Sequence, residues 1–281
     1  MIQELDSEQF ILNALNEDIG DGDHSSLSSI PADTTGAARL LVKESGVLAG
    51  MDVAKQIFNL VDPELTLEFI LADGEQVKYG DVAFIVRGKT HSILKAERLV
   101  LNMMQRMSGI ATRTNRIVSR ISHTNTRVLD TRKTTPGLRF FEKWAVRIGG
   151  GHNHRFGLFD MIMLKDNHVD YAGGIHSAMK QVRAYQQQRG IFLPVEIEVR
   201  NFEELNQVLA EEGVTRVMFD NFSPEQVKKG VDIVGGKIET EASGGITEDT
   251  IVDYAETGVD FVSMGALTHS VKSLDLSLKA L

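Results

Sequence analysis

No cysteine occurs among the 281 residues, which removes disulfides, thiolate nucleophiles and thiolate metal sites at once. No apolar run is long enough to span a bilayer. The opening Met-Ile-Gln-Glu-Leu-Asp has no basic region ahead of an apolar core, so no signal peptide is expected. An excess of basic residues is missing too: 30 Lys and Arg stand against 39 Asp and Glu, a net charge of −9. That balance argues against nucleic acid as a partner, because binding it favours a basic face. It leaves a small anionic ligand open, since a local group of Arg and Lys can focus potential in a cleft whatever the overall sign. With 42% apolar and 25% charged residues the chain reads as an ordinary cytoplasmic globular protein, with no membrane partner. Its length allows one large domain, or a large and a small one.

What is present is concentrated between residues 130 and 168. Two short apolar runs, Val128-Leu129 and Met161 to Leu164, end abruptly in charge: Asp130, Arg132 and Lys133 after the first, Lys165, Asp166 and His168 after the second. Between them stand Gly149-Gly150-Gly151 and His152-Asn153-His154-Arg155. An apolar strand stopping in a charged cluster is how an α/β barrel exposes its chemistry, because only the carboxyl end of each packed strand is open. So many cations together point to a ligand carrying several negative charges.

Upstream, Ser7 to Glu17 carries Phe10, Ile11, Ala14 and Leu15 on one helical face, with Asp6 or Ser7 placed to cap it. From Ala38 to Val86 the pattern is strand-like, interrupted by a helix over Met51 to Val61, which predicts a small α+β unit. Gln76-Val77-Lys78, flanked by Asp73-Gly74-Glu75 and Tyr79-Gly80-Asp81, has the look of a lysine-bearing carrier hairpin, but Lys78 is not at a tip and a structural hairpin is expected. Residues 89–122 read as one helix whose Met103, Met104 and Met107 fill core; Arg98 on it reads, unaided, as a solvated charge.

From residue 127 strands and helices alternate, with strands near 127–130, 160–164, 193–198, 215–220, 237–242 and 259–264. Alternation implies a parallel sheet, and strand ends at Glu198, Asp220, Ser243 and Gly265, spaced 22, 23 and 22 apart, favour a barrel over an open sheet. Every strand ends in a polar group, and six in succession make a site. Glu196 and Glu198 share parity, leaving Val195 and Ile197 to face helices. Glu198 and Asp220 can hold Mg²⁺ beside a phosphate substrate, or can simply hold lysines in place; the residues leave the two level. Ser243-Gly244-Gly245 before a helix offers backbone N–H groups and a positive helix end to phosphate, with Gly265 and His269 in the following loop. His152-Asn153-His154 as a zinc pair is disfavoured by the adjacent Arg155. Lys165 as a Schiff-base lysine lacks an apolar pocket or cationic neighbour in sequence.

Thr131-Arg132-Lys133-Thr134 with Pro136-Gly137, the triple glycine, Asn153-His154-Arg155 and Lys165-Asp166-Asn167-His168 resembles the quinolinate phosphoribosyltransferases, nearly end to end. The resemblance implies an incomplete parallel α/β barrel over 111–270, a smaller N-terminal α+β sandwich over 1–110, and a segment 271–281 returning to the latter. It implies transfer of phosphoribose from phosphoribosyl pyrophosphate to quinolinate, with decarboxylation and no organic cofactor. Arg98 (within Ala96-Glu97-Arg98), Arg132, His154, Arg155 and Lys165 would take the quinolinate carboxylates. Lys133, Glu198 and Asp220 would take phosphoribosyl pyrophosphate and its Mg²⁺, with phosphate on Ser243, Gly244, Gly245, Gly265 and His269. A homodimer sharing its active sites is implied as well. The absence of any Asp-Asp pair fits this barrel type over the other phosphoribosyltransferase architecture. Asp23-His24-Ser25-Ser26 departs from the usual Asp-x-Thr-Ser, which touches packing more than chemistry. Two other readings are a related molybdenum-transport protein, which usually varies where this chain keeps His-Asn-His-Arg and Lys-Asp-Asn-His, and a silent phosphate-binding protein, which would have lost Lys165 or Glu198.

Overall fold

A computed structural model describes residues 2–281 of the chain. Its elements in order are α1 (Ile2–Ile19), α2 (His24–Ser29), β1 (Thr35–Val42), β2 (Gly46–Val47), α3 (Met51–Val61), β3 (Thr66–Phe69), β4 (Gln76–Val77), β5 (Val82–Lys89) and α4 (Thr90–Arg120). Then come β6 (Arg127–Leu129), α5 (Arg139–Ile148), β7 (Ile162–Leu164), α6 (Asp166–Ala172), α7 (Ile175–Arg189), β8 (Val195–Val199), α8 (Phe202–Leu209) and β9 (Arg216–Asp220). The chain closes with α9 (Pro224–Val234), β10 (Glu239–Ser243), α10 (Ile251–Ala255), β11 (Phe261–Ser263), α11 (Ala266–His269) and β12 (Leu276–Ala280).

Two compact units result: 1–115 with 134–150 and 267–281, and 116–133 with 151–266. The first is built on an antiparallel sheet in the order β12-β1-β5-β3. Alternation along β1 buries Ala38, Leu40 and Val42, and Phe84 of β5 meets Phe58 of α3 edge-on at 5.8 Å. The C-terminal segment lies along β1, Leu278 opposite Leu40. Gln76-Val77 pairs with Gly46-Val47 in a two-stranded ladder, so it is framework. Helix α1 begins at Ile2, which puts Ser7 inside the helix and not at its cap; the Asp6 side chain lies outside the described residues.

Residues 134–150 group with the first unit. Its helix α5 buries Phe141, Ala145 and Val146 there, and Phe141 stacks near Phe10 at 5.2 Å. The Arg106 guanidinium binds the buried Glu142 carboxylate at 2.8 Å and the Thr268 carbonyl at 2.6 Å. Part of the triple glycine serves this packing: a Cβ on Gly149 would come within 2.7 Å of the Thr114 side chain.

The second unit is one six-stranded parallel sheet in the order β6-β11-β10-β9-β8-β7, extended past β6 by a bridge from Leu129 to His152. This is the expected incomplete barrel, with all six strands where the alternation put them. The register sets Glu196 beside Arg216 and Glu239, Glu198 beside Met218 and Glu241, and Asp220 beside Ser243. On the opposite parity Ile197, Val217, Phe219, Ala242 and Val262 are buried and apolar. One face of this sheet is therefore hydrocarbon and the other carries charge.

Candidate active site

Residue Lys165 ends β7 and opens α6, and the following motif closes on itself: the Lys165 N–H donates to His168 Nδ1 at 3.0 Å. His168 is thus spent on the cap, which leaves the Lys165 side chain directed elsewhere. Its Nζ lies 3.1 Å from Oε2 of Glu198, at the end of the neighbouring strand. Lys165 is half exposed and Glu198 only 9% exposed, so the carboxylate anchors and the ammonium faces out. Two residues on, Arg200 grips the Asp170 carboxylate with both terminal nitrogens, at 2.9 and 3.0 Å, and fastens α6 to the same strand end.

Asp130, at the end of β6, is fully buried and accepts from the His154 N–H at 2.9 Å and from Asn153 Nδ2 at 2.5 Å. It shapes the loop that carries Arg155, whose Nη1 donates to the Met161 carbonyl at 3.2 Å. Burial, and then the positive charge of Arg132, hold the Arg155 pKa below the usual guanidinium range. Two guanidiniums near enough to repel are a place for a polyanion.

His154 sets its Nε2 3.0 Å from Oε2 of Glu196 and 3.4 Å from Oε2 of Glu241. Burial opposes charge on the ring, yet the two carboxylates outweigh it and raise the pKa to about 9. The backbone N–H of Arg155, 2.6 Å from Nδ1, favours the neutral ring; one amide dipole is weaker than two carboxylates at this range. Arg216 joins the cluster, 3.1 Å from Glu241 and 4.1 Å above the Phe261 ring. Burial, followed by the charge of Glu241, pushes Glu196 up to about 7, while His154 and Arg216 hold Glu241 below its ordinary value. His154, Glu196 and Glu241 bring ligand-type atoms within 4.8 Å of one another, but His154 and Arg216 already supply the positive charge there.

Asp220 ends β9 beside Ser243, and Asn221 Nδ2 donates to its Oδ2 at 2.8 Å. Gly244 and Gly245 both take left-handed backbone, φ 96° and 62°, as their loop requires. The expected helix end behind this loop is a correction: α10 starts only at Ile251 and has five residues. Thr247 and Thr250 fill the interval, the Thr247 N–H donating to Thr250 Oγ1. Lys133 is exposed, and Gly265 precedes the four-residue α11. Arg98 and His269 belong to the first unit: Arg98 is exposed on α4, and His269 Nδ1 is 2.6 Å from Ser270 Oγ. Glu241 and Arg216 were not singled out from sequence, and Asp130 and Asn221 were read only as polar strand ends. Glu239-Thr240-Glu241-Ala242-Ser243, polar at every second place, was the available signal for Glu241.

An incomplete parallel barrel whose strand ends carry paired guanidiniums, a lysine–carboxylate pair and a glycine turn defines an enzyme class that handles anionic small molecules. Residues 23–108 match the quinolinate phosphoribosyl transferase N-terminal domain and residues 110–279 the C-terminal domain of that family, so the chain belongs to it. A quinolinate phosphoribosyltransferase [decarboxylating] of Nicotiana tabacum is 47% identical, with 95% of this chain and 80% of the relative covered. A probable nicotinate-nucleotide pyrophosphorylase [carboxylating] of Bacillus subtilis is 43% identical, covering 93% and 89%. The solved nicotinate-nucleotide pyrophosphorylase of Francisella tularensis superposes with a TM-score of 0.92 at 40% identity, covering 98% of this chain and 96% of that one.

Proposed function

We propose that the protein transfers phosphoribose from phosphoribosyl pyrophosphate to the ring nitrogen of quinolinate and releases pyrophosphate, CO₂ and nicotinate mononucleotide. The observation that carries this is twofold: Arg132 and Arg155 lie close enough to repel, and Lys165 is held by Glu198 at a strand end of the same unit. A pyridine with two adjacent carboxylates relieves that repulsion, and Arg98 would complete its grip. The nitrogen lone pair forms the new bond to the anomeric carbon as the bond to pyrophosphate breaks, through an oxocarbenium-like state that the strand-end carboxylates favour. The ribosylated nitrogen is then an electron sink. The carboxylate beside it leaves as CO₂, its electron pair falls on the ring carbon, and a proton from solvent replaces it. Arg132, Arg155 and Lys165 need only orient and neutralise.

Glu198 and Asp220 are hard oxygen donors on adjacent strand ends with no third acidic or histidine ligand grouped with them among the described residues. That suits Mg²⁺ held mainly by pyrophosphate oxygens and water. When bound it supplies charge neutralisation to the leaving group. Lys133, Ser243, Gly244, Gly245, Gly265 and His269 go to the phosphates. A homodimer with Arg98 acting on the partner's site completes the reading. The missing cysteine fits a cytoplasmic setting, although plant relatives bear chloroplastic and mitochondrial names. The molybdenum-transport alternative gains nothing from the matched family domains. The test is product analysis after incubation with quinolinate, phosphoribosyl pyrophosphate and Mg²⁺. Equimolar nicotinate mononucleotide, pyrophosphate and CO₂ are expected, and no mononucleotide would refute the assignment.

A further inference from the structure

Among the described residues Asn221 is the one non-glycine with positive φ, 56°. Left-handed backbone costs any residue with a Cβ, Asn least, and such strain persists only where the surroundings hold it. Three contacts hold it here. Its N–H donates to the Ser243 carbonyl at 2.8 Å, adding one more rung beyond the pairing of Asp220 with Ser243. Its side-chain Nδ2 donates to Asp220 Oδ2 at 2.8 Å. Its amide also fills the space a Cβ on Gly244 would need, which would lie 2.7 Å from Asn221 Cγ and 2.9 Å from its backbone nitrogen. A single exposed residue thus touches the Asp220 carboxylate on one side and the Ser243–Gly245 turn on the other.

We infer that Asn221 is a positioning residue which fixes Asp220 and the Ser243-Gly244-Gly245 turn in one relation, and so determines how phosphoribosyl pyrophosphate binds without affecting quinolinate. The inference rests on the function given above. With its amide donating to Oδ2, the Asp220 carboxylate has one oxygen oriented and the other left for Mg²⁺ or a ribose hydroxyl. The same amide backs Gly244, so the two ends of the phosphoribosyl site cannot drift apart.

Asn221→Gly separates the two properties, because glycine accepts the left-handed backbone but has no amide. Its KM for phosphoribosyl pyrophosphate should rise roughly 10- to 100-fold, the scale of losing a hydrogen bond to a charged group. Calorimetric binding of quinolinate alone should stay within about twofold of wild type, since no quinolinate contact is altered. Asn221→Asp keeps the shape and the turn tolerance but sets a second carboxylate against Asp220, and should be worse for the same substrate; it carries the test if the glycine variant does not fold. An unchanged KM for phosphoribosyl pyrophosphate in either variant overturns the inference, and so does a parallel loss for both substrates, which would mark Asn221 as merely structural. Wild-type protein that makes no mononucleotide overturns the function itself, and this inference with it; wild-type turnover with an indifferent Asn221 overturns the inference alone.

Discussion

Replacing Glu241 by Gln keeps the shape of a side chain with no solvent exposure and removes the charge that His154 and Arg216 face. His154 stands at about 9 in the folded protein against an ordinary 6.5. A shift of that size contributes roughly 3 kcal/mol, at about 1.4 kcal/mol per unit. Because the folded value is raised, the contribution is complete below pH 6.5 and is lost as pH climbs through 9. Glu196 is raised from 4.5 to about 7, by burial and by Glu241. It is raised too, so what it contributes is complete below pH 4.5 and lost by 7. Both groups make stability fall with rising pH, in adjoining windows that together run from about 4.5 to 9. Glutamine removes a carboxylate that stands behind both shifts. The variant should lose roughly 3 kcal/mol near pH 6, the lower range for breaking a buried charge pair. It should also show a flatter profile: His154 titrates lower without Glu241, and so does Glu196 without a like charge beside it. Urea denaturation of both proteins at pH 5, 7 and 9 measures this. A variant curve running parallel to wild type, displaced or not, refutes the charge assignment; an undiminished stability at pH 6 refutes the coupling altogether.

Four further outcomes follow from the site. Lys165→Ala should cut kcat/KM by a factor of roughly 10²–10³, the scale of one preorganised donor, and borohydride with substrate should trap no adduct; a trapped adduct at Lys165 would restore the Schiff-base reading. Nicotinate should be a very poor substrate, because it leaves part of the cationic cluster unpaired, and a kcat/KM comparable with quinolinate would end the dicarboxylate assignment. Glu198→Ala and Asp220→Ala should damage turnover of phosphoribosyl pyrophosphate more than quinolinate binding, and EDTA should stop the wild-type reaction; full activity in EDTA removes the Mg²⁺ role. Inactive Arg98→Ala and Lys165→Ala proteins, mixed so that subunits exchange, should regain activity if Arg98 acts in trans, since one site of each heterodimer is then intact; a dead mixture with proven exchange places Arg98 in cis.

How far the sequence could be read depended on whether a feature was written in period or in space. The six strands were legible because each is apolar on one parity and stops in polar residues or glycine, and the even steps from Glu198 to Gly265 announced a repeating βα unit. Parity also placed Glu196 and Glu198 on one side. It could not say that Glu196 meets His154, because that contact depends on the bridge from Leu129 to His152, joining residues 23 apart through a loop with no periodic signal. Reading His154 by its neighbour Arg155 made it a substrate ligand and gave no sign of the two buried carboxylates its ring meets. Helix α5 went unread for a related reason. Its Phe141, Ala145 and Val146 repeat at helical spacing, but they lie inside a stretch whose charges drew attention to chemistry, and that helix belongs to the packing of the first unit. The glycine turn shows the limit most directly. Gly-Gly before Ile-Thr-Glu-Asp reads as the approach to a helix, whereas in the fold a turn closed by Thr247 and Thr250 comes first and the helix runs from Ile251. What stands against Gly244 is the Asn221 amide, and Asn221 carries no mark in sequence beyond following Asp220. A left-handed asparagine is chosen by the strand end on either side of it, so its role can be argued only once Asp220 and Ser243 are known to be partners.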